Sequence, residues 1–453
     1  MSAEFPVPQP YRAQTQREFV ALLRQLKECS GLTYRQMEIR AERLGFRLAR
    51  STVASVLSRN TLPRQELVQA IVHACGQDPL PWLQARRRLS AAGHKPDAES
   101  SDAPAQPRQL PTQISDPIGR ERELMYLTTL LLECRRSGGV PIVSGPPGSG
   151  KSMLAVAAAR KAVSHFPDGQ LYVDLKGSTP GALPLSPIDI AGRLLSGMGV
   201  DGAQVPATVD EAAALLRTVT TGRRVLVLLD GAVAAAQVRC LVPLGPGAVV
   251  FVTSRAGLTS LDGSHHLSLT NLSPIQAVAL MEQLLGIDRV RAEPAAVRRL
   301  AKMCGYLPLA LRVAAARLTV RRDLPVGAFV ERLADQRQRL DELRIDDLDV
   351  RASLEISYRQ LIIGDQPDRC ALRAFLLIGA SPQPELEVAK AATLLEMSTA
   401  EVDRAMERLV DAGLVESIGP GRYRMNNLVW LLAQEHARAE QSVSTPGPAA
   451  KLP

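Results

Sequence analysis

Apolar residues recur at helical spacing from Tyr11 to Ser90. Phe19, Leu22, Leu23 and Leu26 stand at i, i+3, i+4 and i+7, one face of an amphipathic helix. Thr33, followed three residues later by Gln36, is a capping-box start for a second helix that turns Met37, Ala41 and Leu44 inward. After a turn at Gly45, Ser51 can cap a third helix with Val53, Val56 and Leu57 inward. Leu67, Ile71 and Val72 face inward from a fourth helix, and Pro79 to Arg88 suits a fifth. Farther on, the pattern changes. Val140–Ser144, Val225–Leu229 and Ala248–Thr253 are short apolar-dominated runs, as expected of strands buried on both faces of a parallel sheet. Met153–Val163 reads as a helix after the first of these strands.

Between the two patterns, Ala91–Pro117 is rich in Ala, Pro, Ser and Asp and has almost no large apolar residue, which predicts a flexible linker. Ser442–Pro453 has the same character, and the acidic stretch Arg344–Val350 marks a weaker boundary. No internal repeat, and in particular no 34-residue helical repeat, is visible. No run approaches the roughly 18 apolar residues of a membrane span, and Met1–Pro10 lacks the pattern of a secretory signal. The six cysteines are scattered without a CxxC pair, so neither a disulfide framework nor a zinc site is expected, and a cytoplasmic location is.

Charge sharpens the picture of the first block. Residues 11–90 hold 14 basic and 6 acidic residues, which accounts for the whole net charge of +8. A local basic surplus on a neutral body points to a polyanion partner. Short second and third helices packed on the first form a helix-turn-helix, and double-stranded DNA is the partner that such a domain implies. The runs LTYRQMEIRAERLG and ARSTVASVLSRNTLPRQELVQAIVHACG resemble the Xre/Cro-type domain of many actinobacterial regulators, with a longer link between helices two and three. That resemblance implies a third helix in the major groove. Arg50, Thr52 and Ser55 would face the bases beside the capping Ser51, with Arg50 suited to guanine O6 and N7. Tyr34, Arg35, Gln36, Arg59 and Arg64 would sit on phosphates. The same helical scaffold can instead bind protein.

The sharpest chemical signal is Gly145-Pro146-Pro147-Gly148-Ser149-Gly150-Lys151-Ser152, a full GxxxxGK[ST] between a strand-like run and a helix. Glycines let backbone N–H groups turn toward phosphate oxygens, and the helix N-terminus adds partial positive charge. Lys151 is expected on the β and γ phosphates, Ser152 on magnesium and Met153 at the helix start. Asp230 ends the buried run Val225–Leu229, 79 positions beyond Lys151, and is the expected Walker B ligand of Mg2+ through water. Gly231 follows it where many ATPases carry a second carboxylate, so Lys151 and Asp230 predict at most slow hydrolysis. Arg255, just past the run Ala248–Thr253, is placed to sense a γ phosphate, and no NKxD supports guanine selectivity.

In order along the chain these residues resemble the NB-ARC module of STAND-class P-loop NTPases, and more narrowly the AfsR-type regulators of Streptomyces. Ile118, Gly119 and Arg120 match the family segment that touches adenine, and Gly305-Tyr306-Leu307-Pro308 matches the segment whose proline packs on the base. Asp349–Leu361, Ala371–Ala380, Leu409–Glu416 and Gly421–Met425 match its winged-helix part. The implied organisation is multidomain. An all-α helix-turn-helix domain at 11–90 and a linker at 91–113 precede an α/β P-loop NTPase domain with a parallel sheet at 114–268. A helical subdomain at 269–345, a winged-helix subdomain at 346–440 and a disordered tail at 441–453 follow.

Two departures stand out. Met425-Asn426-Asn427 replaces the usual Met-His-Asp, whose histidine contacts the ADP β phosphate; Asn426 can donate a hydrogen bond but carries no charge. The sequence also ends after the winged-helix match, where AfsR-type proteins continue into sensor repeats. The expected trigger is therefore nucleotide, another protein or the linker.

The resemblance implies a transcriptional regulator, nucleoid-associated, that ATP or ADP with Mg2+ switches by controlling oligomerisation. RNA polymerase or another protein is a possible further partner. The alternative is a signalling or defence scaffold whose N-terminal domain binds protein, and a third reading is an ATPase that remodels DNA complexes.

Overall fold

The computed structural model describes residues 8, 10–13, 15–43, 48, 53, 56–57, 62–63, 65–92, 106–112, 116–179, 181–363 and 366–444. The chain divides into two units, residues 1–103 and residues 104–453.

The first unit is helical. Its helices span Gln16–Cys29, Tyr34–Arg43, Gln65–Ala74 and Leu80–Ala92. Thr15 caps the first through a reciprocal box with Glu18. The expected Thr33–Gln36 box also forms: the Gln36 amide donates to Thr33 Oγ1 at 3.3 Å, and the Thr33 amide donates to Gln36 Oε1 at 2.9 Å. Phe19, Leu23, Met37, Ala41, Val53, Leu57, Val68 and Ile71 share one core with Trp82, whose ring meets Phe19 edge-on at 5.8 Å. Leu22 and Leu67, expected inward, are only partly buried.

The second unit is built on a parallel five-stranded sheet: β1 Val140–Ser144, β2 Gly169–Asp174, β3 Val225–Ala232, β4 Val249–Ser254 and β5 Ser264–Ser268. Its order is β2-β3-β4-β1-β5, with Tyr172 opposite Leu228 and Asp174 opposite Asp230. β4 thus separates the strand that leads into the phosphate loop from the strand that ends in Asp230. Helices cover both faces over two cores, one around Val173, Leu194 and Val227, the other around Leu127, Val143, Ala158 and Phe251. That two-sided cover is why the strands read as continuous apolar runs.

At two places the described residues of the expected linker at 91–113 take part in regular structure. The helix Leu80–Ala92 enters it from one side. On the other, the Gln170 amide donates to the Pro107 carbonyl at 2.6 Å and the Gln109 amide to the Gln170 carbonyl at 2.8 Å. Residues 107–109 therefore cover the free edge of β2, satisfying backbone groups that composition alone does not reveal.

After β5 come helices Pro274–Leu285, Pro294–Met303, Pro308–Val320 and Val326–Ala334. Then Val350–Ile363, Gln366–Ala380, Val388–Leu395 and Thr399–Asp411 lead to a three-stranded antiparallel sheet of Glu385–Glu387, Glu416–Gly419 and Arg422–Arg424 and the final helix Asn427–Ser444. The helical and winged-helix parts share one continuous core, from Leu272 through Phe329 and Phe375 to Ala433. The helix Pro308–Val320 shows why: it buries Pro308, Ala310, Leu311, Val313, Ala314, Ala315 and Leu318, leaving little polar face.

Candidate nucleotide site

The loop after β1 folds as its glycines require. Gly148 and Gly150 have φ of +75° and +90°, and a Cβ on Gly145 would fall 2.5 Å from the Leu269 carbonyl oxygen. The helix Lys151–Lys161 starts directly from Gly150. Lys151 Nζ folds back and donates to the carbonyls of Gly145 and Pro146, each at 2.8 Å. Burial, and then the nearby positive charge of Arg255, push its pKa down to about 7, against a smaller opposing pull from Asp230. Ser149 Oγ, within the loop, and Asn271 Oδ1, just after β5, are buried without a hydrogen-bond partner.

Asp230 is buried and receives three hydroxyls. Ser152 Oγ donates to Oδ1 at 2.8 Å, Tyr172 Oη to Oδ2 at 3.0 Å, and Thr253 Oγ1 to Oδ1. Burial, and then the charge and hydrogen bond of Asp230, push the Tyr172 hydroxyl well above its usual range, so it stays a donor. The Gly231 amide donates to Thr253 Oγ1 at 2.9 Å. Asp174, at the same level on β2, is engaged by Lys176 Nζ at 2.7 Å.

These residues fit a nucleoside phosphate with Mg2+. A buried cation satisfied only by carbonyls, an unpaired loop hydroxyl and a glycine-shaped loop suit phosphate oxygens. Ser152 beside Asp230 is the all-oxygen pair that a hard divalent cation takes.

A cavity of about 260 Å³ lies in front of the loop. Of the predicted nucleotide residues, Gly145, Pro146, Pro147, Arg255 and Asn426 line it, together with Asn271, Leu307 and Gly413. Gly148, Ser149, Gly150, Lys151, Ser152 and Met153, in the rest of the loop and the helix start, do not, nor do Ile118, Gly119, Arg120 and Pro308. Gly119 accepts from Gln276 Nε2 at 2.6 Å, and the buried Arg120 pairs with Glu123 at 3.0 Å and donates to the Thr270 carbonyl. Pro308 is buried at the first turn of its helix, where the next amide, Leu309 N, donates to the Gly148 carbonyl at 3.2 Å. The proline segment therefore braces the phosphate loop directly.

The winged-helix part closes the other side. A Cβ on Gly413 would sit 3.0 Å from Pro146 Cα. Asn426 Nδ2 donates to the Gly305 carbonyl at 2.9 Å, while its Oδ1 accepts from the Leu428 amide at 3.0 Å and caps the final helix. Arg255 Nη1 reaches the Ser353 carbonyl and the Ser357 hydroxyl. Sequence reasoning missed Tyr172, Thr253, Ser353, Ser357, Leu309 and Gly413. Only Asp174 had a comparable signal, an acid ending an apolar strand as Asp230 does.

In the first unit, Tyr34, Arg35 and Gln36 are exposed at the start of their helix. Arg50, Ser51, Thr52, Ser55, Arg59 and Arg64 lie outside the described residues, as does most of the expected third helix. Among the described residues no helix is long and apolar enough to cross a membrane.

The parallel sheet, the phosphate loop opening a helix and the Asp230-bearing strand two places from β1 in the sheet define a P-loop NTPase fold with helical and winged-helix parts appended. Over most of its length the chain is an AfsR-like protein. Regulatory protein AfsR of Streptomyces griseus is 41% identical over 373 residues, which cover 81% of this chain and 38% of that protein. The AfsR of Streptomyces coelicolor is 41% identical over 389 residues, 84% of this chain and 37% of that protein. The chain thus spans less than two fifths of the length of these relatives. No family model matches it. Among solved structures, the Aeropyrum pernix ORC2 protein overlays at a TM-score of 0.43 and 14% identity, covering 72% of this chain and 96% of that one. A Signal Transduction ATPase with Numerous Domains from Pyrococcus horikoshii gives 0.36 and 16%, covering 76% and 48%. The fold reading rests on the chain's own sheet and loop, not on these overlays.

Proposed function

We propose that the chain is a nucleotide-switched transcriptional regulator: ATP or ADP with Mg2+ at the phosphate loop sets whether the winged-helix part stays closed, and closure controls oligomerisation and DNA binding by the helical N-terminal unit. The observation that carries this is the closure itself. The phosphate loop is touched at Gly148 by Leu309 of the helical part and approached at Pro146 by Gly413 of the winged-helix part, contacts through which occupancy of the loop would bear on the position of both. The name of the AfsR relatives, regulatory proteins, supports the same reading, as does the basic surplus of residues 11–90.

In this scheme Lys151 and the loop amides bind phosphates, Ser152 and Asp230 hold Mg2+, and Arg255 meets a third phosphate if one is present. A bound Mg2+ neutralises phosphate charge and fixes the phosphate geometry. Gly231 follows Asp230, so no second carboxylate stands next to it to orient an attacking water, and Asp174 is tied to Lys176; slow turnover and use of the site as a switch follow from this reading. Nucleotides shift the two arrangements only by their differential affinity for them. Released chains would oligomerise and present several N-terminal units on tethers, which raises effective concentration on DNA to around the millimolar range.

The test is recovery of sheared genomic DNA on the purified chain with ADP or a non-hydrolysable ATP analogue at fixed salt, because phosphate contacts weaken steeply with salt. A few discrete fragments, more enriched with the analogue and lost in Lys151→Ala, support the switch. Equal enrichment in both nucleotides and in Lys151→Ala overturns the switch. No enrichment in either state makes the N-terminal unit a protein-binding module.

A further inference from the structure

Arg255 is a half-buried cation whose hydrogen-bond acceptors are neutral. It follows β4, and its Nη1 donates to the Ser353 carbonyl at 3.3 Å and to the Ser357 hydroxyl at 3.0 Å. Ser353 and Ser357 are one turn apart on the helix Val350–Ile363 and so share a face. Ser357 is fully buried. Burial pushes the Arg255 guanidinium down to about 10, and no carboxylate offsets that. A charge partly withdrawn from water and held only by neutral acceptors is incompletely compensated. The guanidinium also lines the cavity in front of the phosphate loop, on the side the winged-helix part covers.

An anion in that cavity would give Arg255 the counter-charge it lacks. On the nucleotide reading, Lys151 and the loop would hold the phosphates that a diphosphate and a triphosphate share, and Arg255, lining the cavity beside the loop, would meet the terminal phosphate of a triphosphate. Guanidinium–phosphate bonds are charge-assisted on both sides and stronger than a bond to a serine hydroxyl. Turning toward phosphate therefore competes with the hold on the helix Val350–Ile363.

We infer that Ser357 is a specificity-determining residue of this site: by holding Arg255 against the winged-helix part, it makes the closed arrangement prefer a nucleoside diphosphate over a triphosphate. This rests on the reading of the phosphate loop as a nucleotide site. Ser357 positions Arg255 and itself touches no phosphate.

The experiment measures affinities of the full chain for Mg-ADP and Mg-ATPγS in wild type, Ser357→Ala and Ser357→Cys; the thiol fills the space but is a poor acceptor. Losing one hydrogen bond to a charged donor should shift the ATPγS-to-ADP affinity ratio toward ATPγS by about threefold to tenfold in both variants. ADP affinity should stay within about twofold, since the bond lost lies away from the two phosphates held by the loop. In an Arg255→Ala background, Ser357→Ala should leave the ratio unchanged. The inference is overturned if neither variant moves the ratio, or if both nucleotides shift equally. It is also overturned if only Ser357→Ala responds, because packing is then the cause, or if the shift persists without Arg255. A wild-type chain that binds neither nucleotide sinks the underlying site reading and this inference with it.

Discussion

Gly305→Ala tests what ties the winged-helix part to the segment that braces the phosphate loop. Gly305 has φ +60°, and a Cβ there would lie 2.4 Å from Asn426 Oδ1 and 2.7 Å from Nδ2. Two costs follow. An L side chain in this left-handed conformation costs about 1–2 kcal/mol. The clash also displaces Asn426, which gives up its 2.9 Å bond to the Gly305 carbonyl and its cap on the Leu428 amide. Those bonds together contribute about 1–2 kcal/mol net. The closed arrangement should thus lose about 2–4 kcal/mol, and Asn426→Ala alone about 1–2 kcal/mol. Amide hydrogen exchange at Leu428 and Trp430, whose amides bond to Asn426, reads the opening directly. Asn426→Ala should exchange about five to thirty times faster than wild type. The double variant should fall short of the summed effects by about 1–2 kcal/mol, because the asparagine can be displaced only once. Strict additivity would refute the idea that Asn426 is the link.

Three further outcomes are expected. With Lys151 at about 7 in the free protein, well below lysine's ordinary 10.5, the unfolded chain binds more protons between those values, so stability of the nucleotide-free protein rises with pH across that window. Phosphate binding restores the charge, so calorimetry in buffers of different ionisation enthalpy at pH 8 should show uptake of about 0.9 proton, absent in Lys151→Ala. Phe375→Ala, which empties a fully buried site against Tyr358 at 5.4 Å, should cost about 3–5 kcal/mol. Urea titration of that variant should show the helical and winged-helix parts unfolding in one transition, and two separated transitions would contradict their shared core. Arg35→Ala should weaken binding to all DNA fragments alike and reduce the salt dependence by about one counterion, whereas a change in which fragments bind would make Arg35 a base reader.

What was legible in the sequence was whatever is contiguous or periodic. The phosphate loop is a single octapeptide, and each of its residues is fixed by what a few neighbouring backbone groups must do. Asp230 could be placed because a strand buried on both faces is a recognisable run and an acid at its end is conspicuous. The capping box at Thr33 and Gln36 is equally local. The stretch around Pro107 misled for a related reason: its composition shows that it buries no core, but not that a sheet edge needs its carbonyls. The merging of the helical and winged-helix cores was also hidden, since a boundary was inferred from a short acidic run while the apolar faces on either side of it pack together.

The contacts that close the molecule belong to a different class. Arg255 and Ser357 are 102 residues apart and Asn426 and Gly305 are 121 apart, and no pattern along the chain relates either pair. Substituting asparagine for the expected histidine shows the consequence. Judged as a single residue, Asn426 looks like a weakened phosphate contact. In the fold it caps the last helix and bonds to the backbone beside the bracing proline segment, so it ties protein to protein. The same fold sets a half-buried Arg255, bonded to neutral acceptors, between the phosphate cavity and the winged-helix part. In the proposed switch the closed arrangement depends on hydrogen bonds to uncharged acceptors at two places instead of a charged histidine at one. Such bonds are insensitive to pH across the histidine range, and each is weak enough for a phosphate anion to compete with it. A switch built this way should respond to the number of phosphates far more than to pH between 5 and 7. Measured closure that followed pH through that interval, at constant nucleotide, would mean that a histidine elsewhere holds it, with His436 beside Glu355 at 2.9 Å the first to replace.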